Sequence, residues 1–230
     1  MKFPSRYRIR TLKKDSTEWN DVVIDINSES EYREIVNKLF SSTALEKYSI
    51  TEYPPFRVAI LDYPTDDDWM LTKLCTLNTV GKKSTKLPNE EWKVKLLESE
   101  HSPIRTLNFL IKMEIPYFVS VHFCRHKIGV EHFVQTQRTD RTGVNRNDLP
   151  QGAKVNHMMW INAGALVYMA RKRLCKQASK ETRDVMKEIV RQVLETNPEF
   201  KSVLVPNCVY RNGKCTEFYS CRGVDNEDRK

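Results

Sequence analysis

The strongest hydrophobic pattern lies in the second half of the chain. Over 154–196, apolar residues recur at roughly helical spacing: Leu166, Met169, Leu174, Ala178, Met186, Ile189 and Val193. A period of three to four residues is typical of an amphipathic helix. Pro150 and Gly152 precede this stretch and Asn197-Pro198 follows it, and such residues commonly bound helices. We therefore predict one long helix over 154–196, with Ser179 as the point at which it would break.

Shorter patterns predict the elements that come before. Two mainly apolar runs are predicted strands: 21–26 and 56–64. Three stretches are predicted helices: 29–40, 66–77, whose first residues are acids that suit a helix N-terminus, and the amphipathic 89–98. The run 107–123 is almost entirely apolar, so we expect it in the protein interior.

Composition and charge narrow the class of protein. The chain has 230 residues, of which 40% are hydrophobic and 30% charged, and this suits a globular domain with a sizeable core. No apolar run has the length needed to cross a bilayer, and the first residues lack the apolar centre of a signal peptide. We therefore expect a cytoplasmic protein without a membrane partner. A net charge of +8 predicts an anionic partner.

The candidate chemistry is concentrated in the middle of the chain. All five histidines fall between 101 and 157, and the stretch 124–143 mixes Arg, Lys, His and Gln directly after the apolar run. Guanidinium groups bind phosphate oxygens in a bidentate manner and stay charged at physiological pH. The chain lacks a glycine-rich phosphate loop and a known nucleophile signature. A nucleotide would therefore be held by side chains.

The predicted long helix would form one wall of a polar pocket. Asn162 and Arg173 are eleven residues apart, about three turns, so they would share a face, and Gln177 would follow one turn later. Cys175 would point roughly 200° away from Arg173 and pack behind the pocket.

Four ordered motifs between 100 and 185 resemble the flavin-dependent thymidylate synthases, also called thymidylate synthase complementing proteins. They are "RHK" at 125–127, "TQR" at 136–138, "NRNDLP" at 145–150 and "NAGALVYMARKRLCKQAS" at 162–179. The segment "EHSPIRTLNFLI" at 100–111 is similar to the part of the family just upstream. The resemblance implies an α+β fold with long helices packed on a mixed β-sheet, and a homotetramer whose active sites are shared between subunits.

The resemblance also implies roles for individual residues. The FAD contacts that it implies are Ser102, Arg125, His126, Lys127 and Asn162. The nucleotide contacts that it implies are His122, Gln135, Thr136, Gln137, Arg138, Arg146 and Arg173. Of these, Arg173 and Thr136 would be catalytic, with Arg173 polarising the pyrimidine. The chemistry implied is transfer of a one-carbon unit from methylenetetrahydrofolate to C5 of dUMP, with reduced FAD and NADPH as the reductants.

Several positions depart from the family pattern. Gly164 stands where the family has the arginine of Asn-Ala-Arg, and one extra residue separates "RHK" from "TQR". These departures lie where substrate and hydride donor are selected. The nucleotide could accordingly be dCMP instead of dUMP, or the product could carry a hydroxymethyl group.

The predicted organisation has three parts: an N-terminal extension over 1–60 packed on the core, a catalytic domain over 61–205 and a cysteine-containing tail over 206–230. Cys208, Cys215 and Cys221 in the tail form a weak candidate for a metal site, because their spacing is not that of common zinc modules. Reduced, free thiols are the preferred interpretation, so no metal is expected.

Two rival functions remain open at this point. One is a nucleic-acid-binding protein with a basic surface over 125–146 and 171–183, which the shortage of stacking aromatics there disfavours. The other is a family member that keeps the nucleotide pocket without turnover, and Gly164 is the feature that supports it.

Overall fold

The computed structural model describes residues 5–13, 19–40, 45–52 and 55–221. It contains two compact units, residues 1–57 and 58–230. The strands are β1 (Ser5–Lys13), β2 (Trp19–Ile26), β3 (Leu45–Glu52), β4 (Arg57–Asp62), β5 (Asn108–Pro116), β6 (Val130–Val134) and β7 (Lys154–Asn162). The α-helices are α1 (Glu29–Phe40), α2 (Asp66–Asn78), α3 (Glu90–Glu98), α4 (Tyr117–Cys124), α5 (Thr139–Thr142), α6 (Ala163–Arg173), α7 (Lys180–Thr196) and α8 (Asn207–Tyr210). Short 3-10 turns span Ser102–Thr106, Arg146–Asp148 and Pro198–Ser202.

The first unit is a three-stranded antiparallel sheet in the order β2-β1-β3, with helix α1 following β2. Tyr7 and Ile26 are buried, and the ring of Tyr7 lies 5.6 Å from that of Tyr32 on α1. Strand 21–26 and helix 29–40 were predicted within one or two residues. The placement of this unit as an extension packed on the core stays a prediction, as do the boundaries at 60 and 205.

The second unit is built on a four-stranded sheet in the order β4-β5-β7-β6. β7 pairs with both β5 and β6 in antiparallel register, with Phe109 opposite Ile161 and Val130 opposite the same residue. The predicted α+β class is confirmed. The pairs β1–β2, β1–β3, β5–β7 and β6–β7 are antiparallel.

One face of this sheet forms the core. Alternate side chains of β5 and β7 are buried, and those between them are more exposed. The buried set is Phe109, Ile111, Met113, Ile115, Val155, His157, Met159 and Ile161. The rings of Phe109 and Phe200 meet in a T-shaped arrangement with centroids 5.4 Å apart, and Phe200 also neighbours Trp69 on α2, so helix and sheet share one core.

The predicted helix over 154–196 is wrong in its first part. Residues 154–162 form strand β7, because their burial alternates with period two, as a strand with one core-facing side requires. The chain then enters α6 without a loop, leaves it at Arg173, and begins α7 at Lys180. The predicted break at Ser179 is confirmed: its hydroxyl accepts a hydrogen bond from the Thr182 amide and caps α7. No helix among the described residues has the length and hydropathy of a membrane span.

Candidate active site

A cavity of about 1020 Å³ opens in the second unit. This volume lies at the upper end of the range for small-molecule sites, about 300–1,000 Å³. Its walls are the 102–106 turn, the loop after α4, both ends of α6, the connection from α6 to α7, and Glu217 in the tail. The cavity therefore gathers segments from across 100–217.

The junction of β7 and α6 fixes one wall. Asn162 ends β7 and caps α6, since its side-chain oxygen accepts a hydrogen bond of 2.9 Å from the amide of Ala165. Gly129 lies against the Asn162 amide with φ +73°, and a Cβ there would come within 2.4 Å of Nδ2. Only glycine fits this close approach without displacement. The Asn162 backbone also donates to the Gly129 carbonyl at 2.9 Å, which ties the α4–β6 loop to the helix start.

Arg173 is held in place by two acceptors. Its Nε donates to His126 Nε2 at 2.9 Å, and its Nη2 donates to the His122 carbonyl at 2.6 Å. Burial, and then the nearby Arg173 guanidinium, lower the pKa of His126 to about 4. The imidazole is therefore neutral at physiological pH, and its unprotonated Nε2 can accept the bond. Burial and Arg125 lower the pKa of Arg173, which nevertheless remains a cation in that range.

Positive charge dominates the cavity. Five Lys or Arg residues line it, against the two acids Glu100 and Glu217. Within the described ranges, Arg105, Arg125 and Arg173 form no ion pair with a carboxylate. Guanidinium groups that lack an internal counter-charge are available to an anionic ligand.

The tail closes one side of the cavity. Lys172 Nζ and Glu217 Oε1 are 3.0 Å apart, and Gln177 Nε2 donates to the Tyr219 carbonyl at 2.8 Å. Gln177 lies beyond the end of α6, so it reaches the cavity through the α6–α7 connection and not by sharing a helix face with Arg173. Cys175 also lines the cavity, and the expectation that it packs behind the pocket is wrong for the same reason.

The cavity brings together only part of the predicted site. The predicted residues that line it are Arg125, His126, Lys127, Asn162 and Arg173. The resemblance implied that the first four contact FAD and that Arg173 contacts the nucleotide. The remaining predicted residues do not line it: Ser102, His122, Gln135, Thr136, Gln137, Arg138 and Arg146.

Those remaining residues make other contacts. His122 Nδ1 bonds Thr182 Oγ1 at 2.8 Å, and burial, followed by Arg173, lowers the pKa of His122. Gln135 Oε1 accepts from Asn156 at 3.0 Å. Arg138 forms a bidentate pair with Asp140 at 2.7 and 3.0 Å. Ser102, Thr136 and Arg146 are exposed.

Among the lining residues that were not predicted as site residues, five have charged or phenolic side chains: Glu100, Arg105, Tyr168, Lys172 and Glu217. Arg105 belongs to the 102–106 turn, and no pattern in the sequence marks it as a site residue. Tyr168 and Lys172 lie on α6 between the two residues that were predicted, so helical spacing could have found them. Glu217 reaches the cavity from 45 residues beyond Lys172, and no local pattern signals that contact.

The three tail cysteines do not form a ligand cluster. Within the described part of the chain, the one group of three His, Cys, Asp or Glu residues with ligand atoms close enough for a metal is Cys124, His132 and His157. Cys208, Cys215 and Cys221 are free and half-buried.

Comparison with known proteins points to one family. Residues 144–199 match the family model described as thymidylate synthase complementing protein. The resemblance to this family is confirmed. No curated protein matches the sequence. Among solved structures, the chain is similar to a UMP/dUMP methylase, PolB from Streptomyces cacaoi, bound with 5-Br dUMP. The TM-score is 0.51 and the identity 14%, over 65% of this chain and 97% of the other, so this likeness concerns the fold.

Proposed function

We propose that this protein is a flavin-dependent methyltransferase that acts at C5 of a pyrimidine deoxynucleotide, with dUMP as the first candidate. The observation that carries the proposal is the cationic cavity at which Arg125, His126, Lys127, Asn162 and Arg173 converge. The family match over 144–199 includes Asn162 and Arg173, and a protein of similar fold is a UMP/dUMP methylase. These findings support the reaction class; the cofactor and the co-substrates are part of the proposal.

The residues of the cavity fit FAD. The volume of about 1020 Å³ accommodates a large ligand, and unpaired guanidinium groups suit a pyrophosphate. The close approach of Gly129 to Asn162 leaves backbone and amide groups at the wall without an intervening side chain. Arg125, His126, Lys127 and Asn162 would hold the flavin. When bound, FAD would supply the reducing equivalents, with NADPH as their source and methylenetetrahydrofolate as the donor of the carbon.

Arg173 is the residue that we assign to the pyrimidine. Its Nε and Nη2 are already bonded to His126 and His122, which leaves Nη1 for a ligand. A guanidinium fixed in this way can donate to a pyrimidine carbonyl and stabilise the negative charge that develops when C5 becomes nucleophilic. Such preorganisation requires no movement during the reaction.

Arg105 supplies the cation that is missing at position 164. Gly164 replaces the family arginine, and a Cβ built there would lie 3.5 Å from Arg105 Cγ, in ordinary contact. The side chain of Arg105 therefore runs alongside the space that a residue at 164 would use. Because Arg105 lines the cavity and has no ion pair among the described residues, it can contribute the anion contact that Gly164 cannot.

We further propose that the exposed segment 135–146 completes the site of a second copy in a homotetramer. Thr136, Arg138 and Arg146 are outside the cavity of their own chain and accessible. Among the residues that the structure describes, the Arg138 side chain pairs only with the exposed Asp140, an interaction that contributes little and can be exchanged for a phosphate. In this arrangement Thr136 and Arg138 act on the nucleotide bound beside the partner's Arg173.

The experiment is a flavin and turnover assay on the full chain. Purified protein is loaded with FAD, desalted and examined by visible absorption, and then tested for NADPH oxidation and methyl transfer with dUMP or dCMP. Retained flavin with dUMP-dependent dTMP formation supports the proposal. Activity with dCMP alone, or a hydroxymethyl product, would revise the substrate or the product.

Two results would replace the proposal with its rivals. Tight nucleotide binding without NADPH consumption would indicate a pocket without turnover. Absence of flavin at every loading, together with salt-sensitive binding of long polynucleotides, would indicate a nucleic-acid-binding protein.

A further inference from the structure

A second group of reactive side chains lies outside the cavity lining, next to His126, and has no part in the proposed reaction. Cys124 ends α4, His132 is on β6 and His157 is on β7. Their sulfur and nitrogen ligand atoms lie within 4.8 Å of one another. His157 is fully buried, whereas Cys124 and His132 are half-buried.

His132 and His157 each direct one ring nitrogen at the other imidazole, and each has a separate partner for its second ring nitrogen. His132 Nε2 is 2.7 Å from the His126 carbonyl, which can only accept, so Nε2 carries the proton and Nδ1 presents a lone pair. That Nδ1 is 2.9 Å from His157 Nε2. The other nitrogen of His157, Nδ1, is 2.9 Å from Ser120 Oγ, and a hydroxyl can donate or accept. With Ser120 as the acceptor, both inner nitrogens present lone pairs to the same point.

We propose that Cys124, His132 and His157 form a binding site for a borderline-soft divalent cation, of which Zn²⁺ is the representative. One thiolate and two imidazoles are the ligand set that such ions favour. The outer contacts to a backbone carbonyl and a hydroxyl are those that orient metal-bound histidines. The thiol proton of Cys124 leaves to solvent when the ion binds, and water takes the fourth position.

The required adjustment is small. In tetrahedral zinc geometry the two nitrogens would be roughly 3.3 Å apart and the sulfur roughly 3.6 Å from each. The nitrogens must separate by a few tenths of an ångström, and Cys124 must turn toward them. The bound ion would link α4, β6 and β7 next to His126, whose carbonyl accepts the hydrogen bond from His132.

The same groups also form a plain hydrogen-bond chain from Ser120 through His157 and His132 to the His126 carbonyl. The test therefore measures metal itself. The full chain is stripped with a chelator and titrated with Zn²⁺ against a chromophoric competitor, and Co²⁺ is used as a spectroscopic probe. We expect one equivalent of tight binding and a thiolate-to-Co²⁺ charge-transfer band.

Alkylation of the unmutated protein identifies the cysteine. Zn²⁺ should protect Cys124 from iodoacetamide, while Cys75, Cys175, Cys208, Cys215 and Cys221 react as before. Peptide mass spectrometry reads all six in one sample. This measurement stands even if a ligand variant fails to fold.

Matched variants complete the test. Cys124→Ser and His132→Gln should abolish the stoichiometric site; the glutamine amide can still donate to the His126 carbonyl. Ser120→Ala, which removes the outer contact of His157 and the hydrogen bond between Ser120 and the Cys124 side chain, should weaken Zn²⁺ binding about tenfold. The combined variant C208S/C215S/C221S should bind as the unmutated chain does.

The proposal is overturned if the folded protein takes up no stoichiometric Zn²⁺. It is overturned equally if Zn²⁺ leaves Cys124 unprotected, or if the triple tail variant loses the ion while Cys124→Ser keeps it. Flavin binding and methyl transfer are measured separately, so their failure would leave this result unaffected.

Discussion

Arg105 Cγ lies 3.5 Å from the position that a Cβ on Gly164 would occupy. The first residue comes from a turn before β5 and the second from the first turn of α6, so the contact joins two walls of the cavity. The missing arginine of the family pattern and the unpredicted arginine in the cavity are thus neighbours.

If Arg105 replaces the missing cation, Arg105→Ala should weaken binding of the anionic ligand about 10- to 100-fold, as expected for a lost charged hydrogen bond. Titration calorimetry or flavin fluorescence would measure the loss. Gly164→Arg in the Arg105→Ala background should recover most of the affinity. Arg191→Ala, which removes an arginine paired with Glu188 on α7, is the control. Unchanged affinity in Arg105→Ala, or no recovery in the double variant, would contradict the assignment.

Arg173→Lys should keep the fold and lose turnover. Lysine retains the charge, but its single ammonium nitrogen cannot occupy the positions of Nε at His126 and of Nη2 at the His122 carbonyl and also that of Nη1 at the ligand. We expect kcat to fall about 10²- to 10³-fold, the usual cost of one preorganised donor. Steady-state dTMP formation measures this, with Arg191→Lys as the matched control. A variant with normal kcat would remove Arg173 from the chemistry.

Glu217→Gln tests the tail as part of the cavity wall. The change frees Lys172 and removes one of the two acids that line the cavity. Because the pair is partly exposed, we expect stability to change by less than about 1 kcal/mol, and affinity for the anionic ligand to rise about two- to fivefold. Glu195→Gln on α7 should leave affinity unchanged. Weaker binding in Glu217→Gln would mean that the carboxylate holds the ligand directly.

Trp69→Phe tests the buried hydrogen bond between Trp69 and Glu199. Trp69 Nε1 donates to Glu199 Oε1 at 2.8 Å, and both residues are buried. Asn197 donates to the same oxygen at 3.1 Å and remains in the variant. We expect a loss of about 1–3 kcal/mol in the free energy of unfolding, because a buried carboxylate loses a donor. Urea denaturation measures it. The exposed Trp160→Phe should change stability by less than about 0.5 kcal/mol.

Glu100 should contribute to the pH dependence of stability. Burial alone would raise its pKa, but hydrogen bonds from Tyr210 and Arg171 outweigh burial, so the pKa of Glu100 is lowered. A carboxylate with a lowered folded-state pKa stabilises the fold above its unfolded pKa, and this contribution is lost as pH falls through the folded value.

Glu100→Gln should therefore lower the melting temperature at neutral pH, and the difference from the unmutated protein should shrink on acidification below about pH 4. Glu91→Gln on α3 is the control for a generic change of charge. A constant difference from pH 7 to pH 3 would contradict this role for the carboxylate.

Residues 154–162 were predicted as helix but form strand β7, because the local pattern there does not distinguish a helix from a strand. The residues Val155, His157, Met159 and Ile161 alternate with period two, but the intervening Met158 and Trp160 are also apolar, and the continuous run resembles the helix that follows. Pairing with β5 and β6 decides the structure, and such long-range partners leave no local trace. Helices with acidic starts and clear ends, such as α2 and α3, were predictable because their signals are local.

The candidate site likewise contains residues that local sequence patterns indicate and residues that only long-range packing brings in. Arg125, His126 and Lys127 could be found because they are contiguous, and Asn162 and Arg173 because one helix spans the distance between them. Arg105 and Glu217 approach this group from segments far away in sequence. Their positions follow only from the packing of the turn and the tail around α6.

The direct passage from β7 into α6 limits how this part of the chain can change in length. One residue added or removed between Trp160 and Arg173 would turn the helix by about 100°, and would carry Arg173 off the cavity wall or displace Asn162 from its cap. A substitution in this stretch leaves the spacing between Asn162 and Arg173 intact, whereas a change of length alters it. A library of single-codon insertions should therefore recover functional clones in the loop 79–89, and none from 160 to 173.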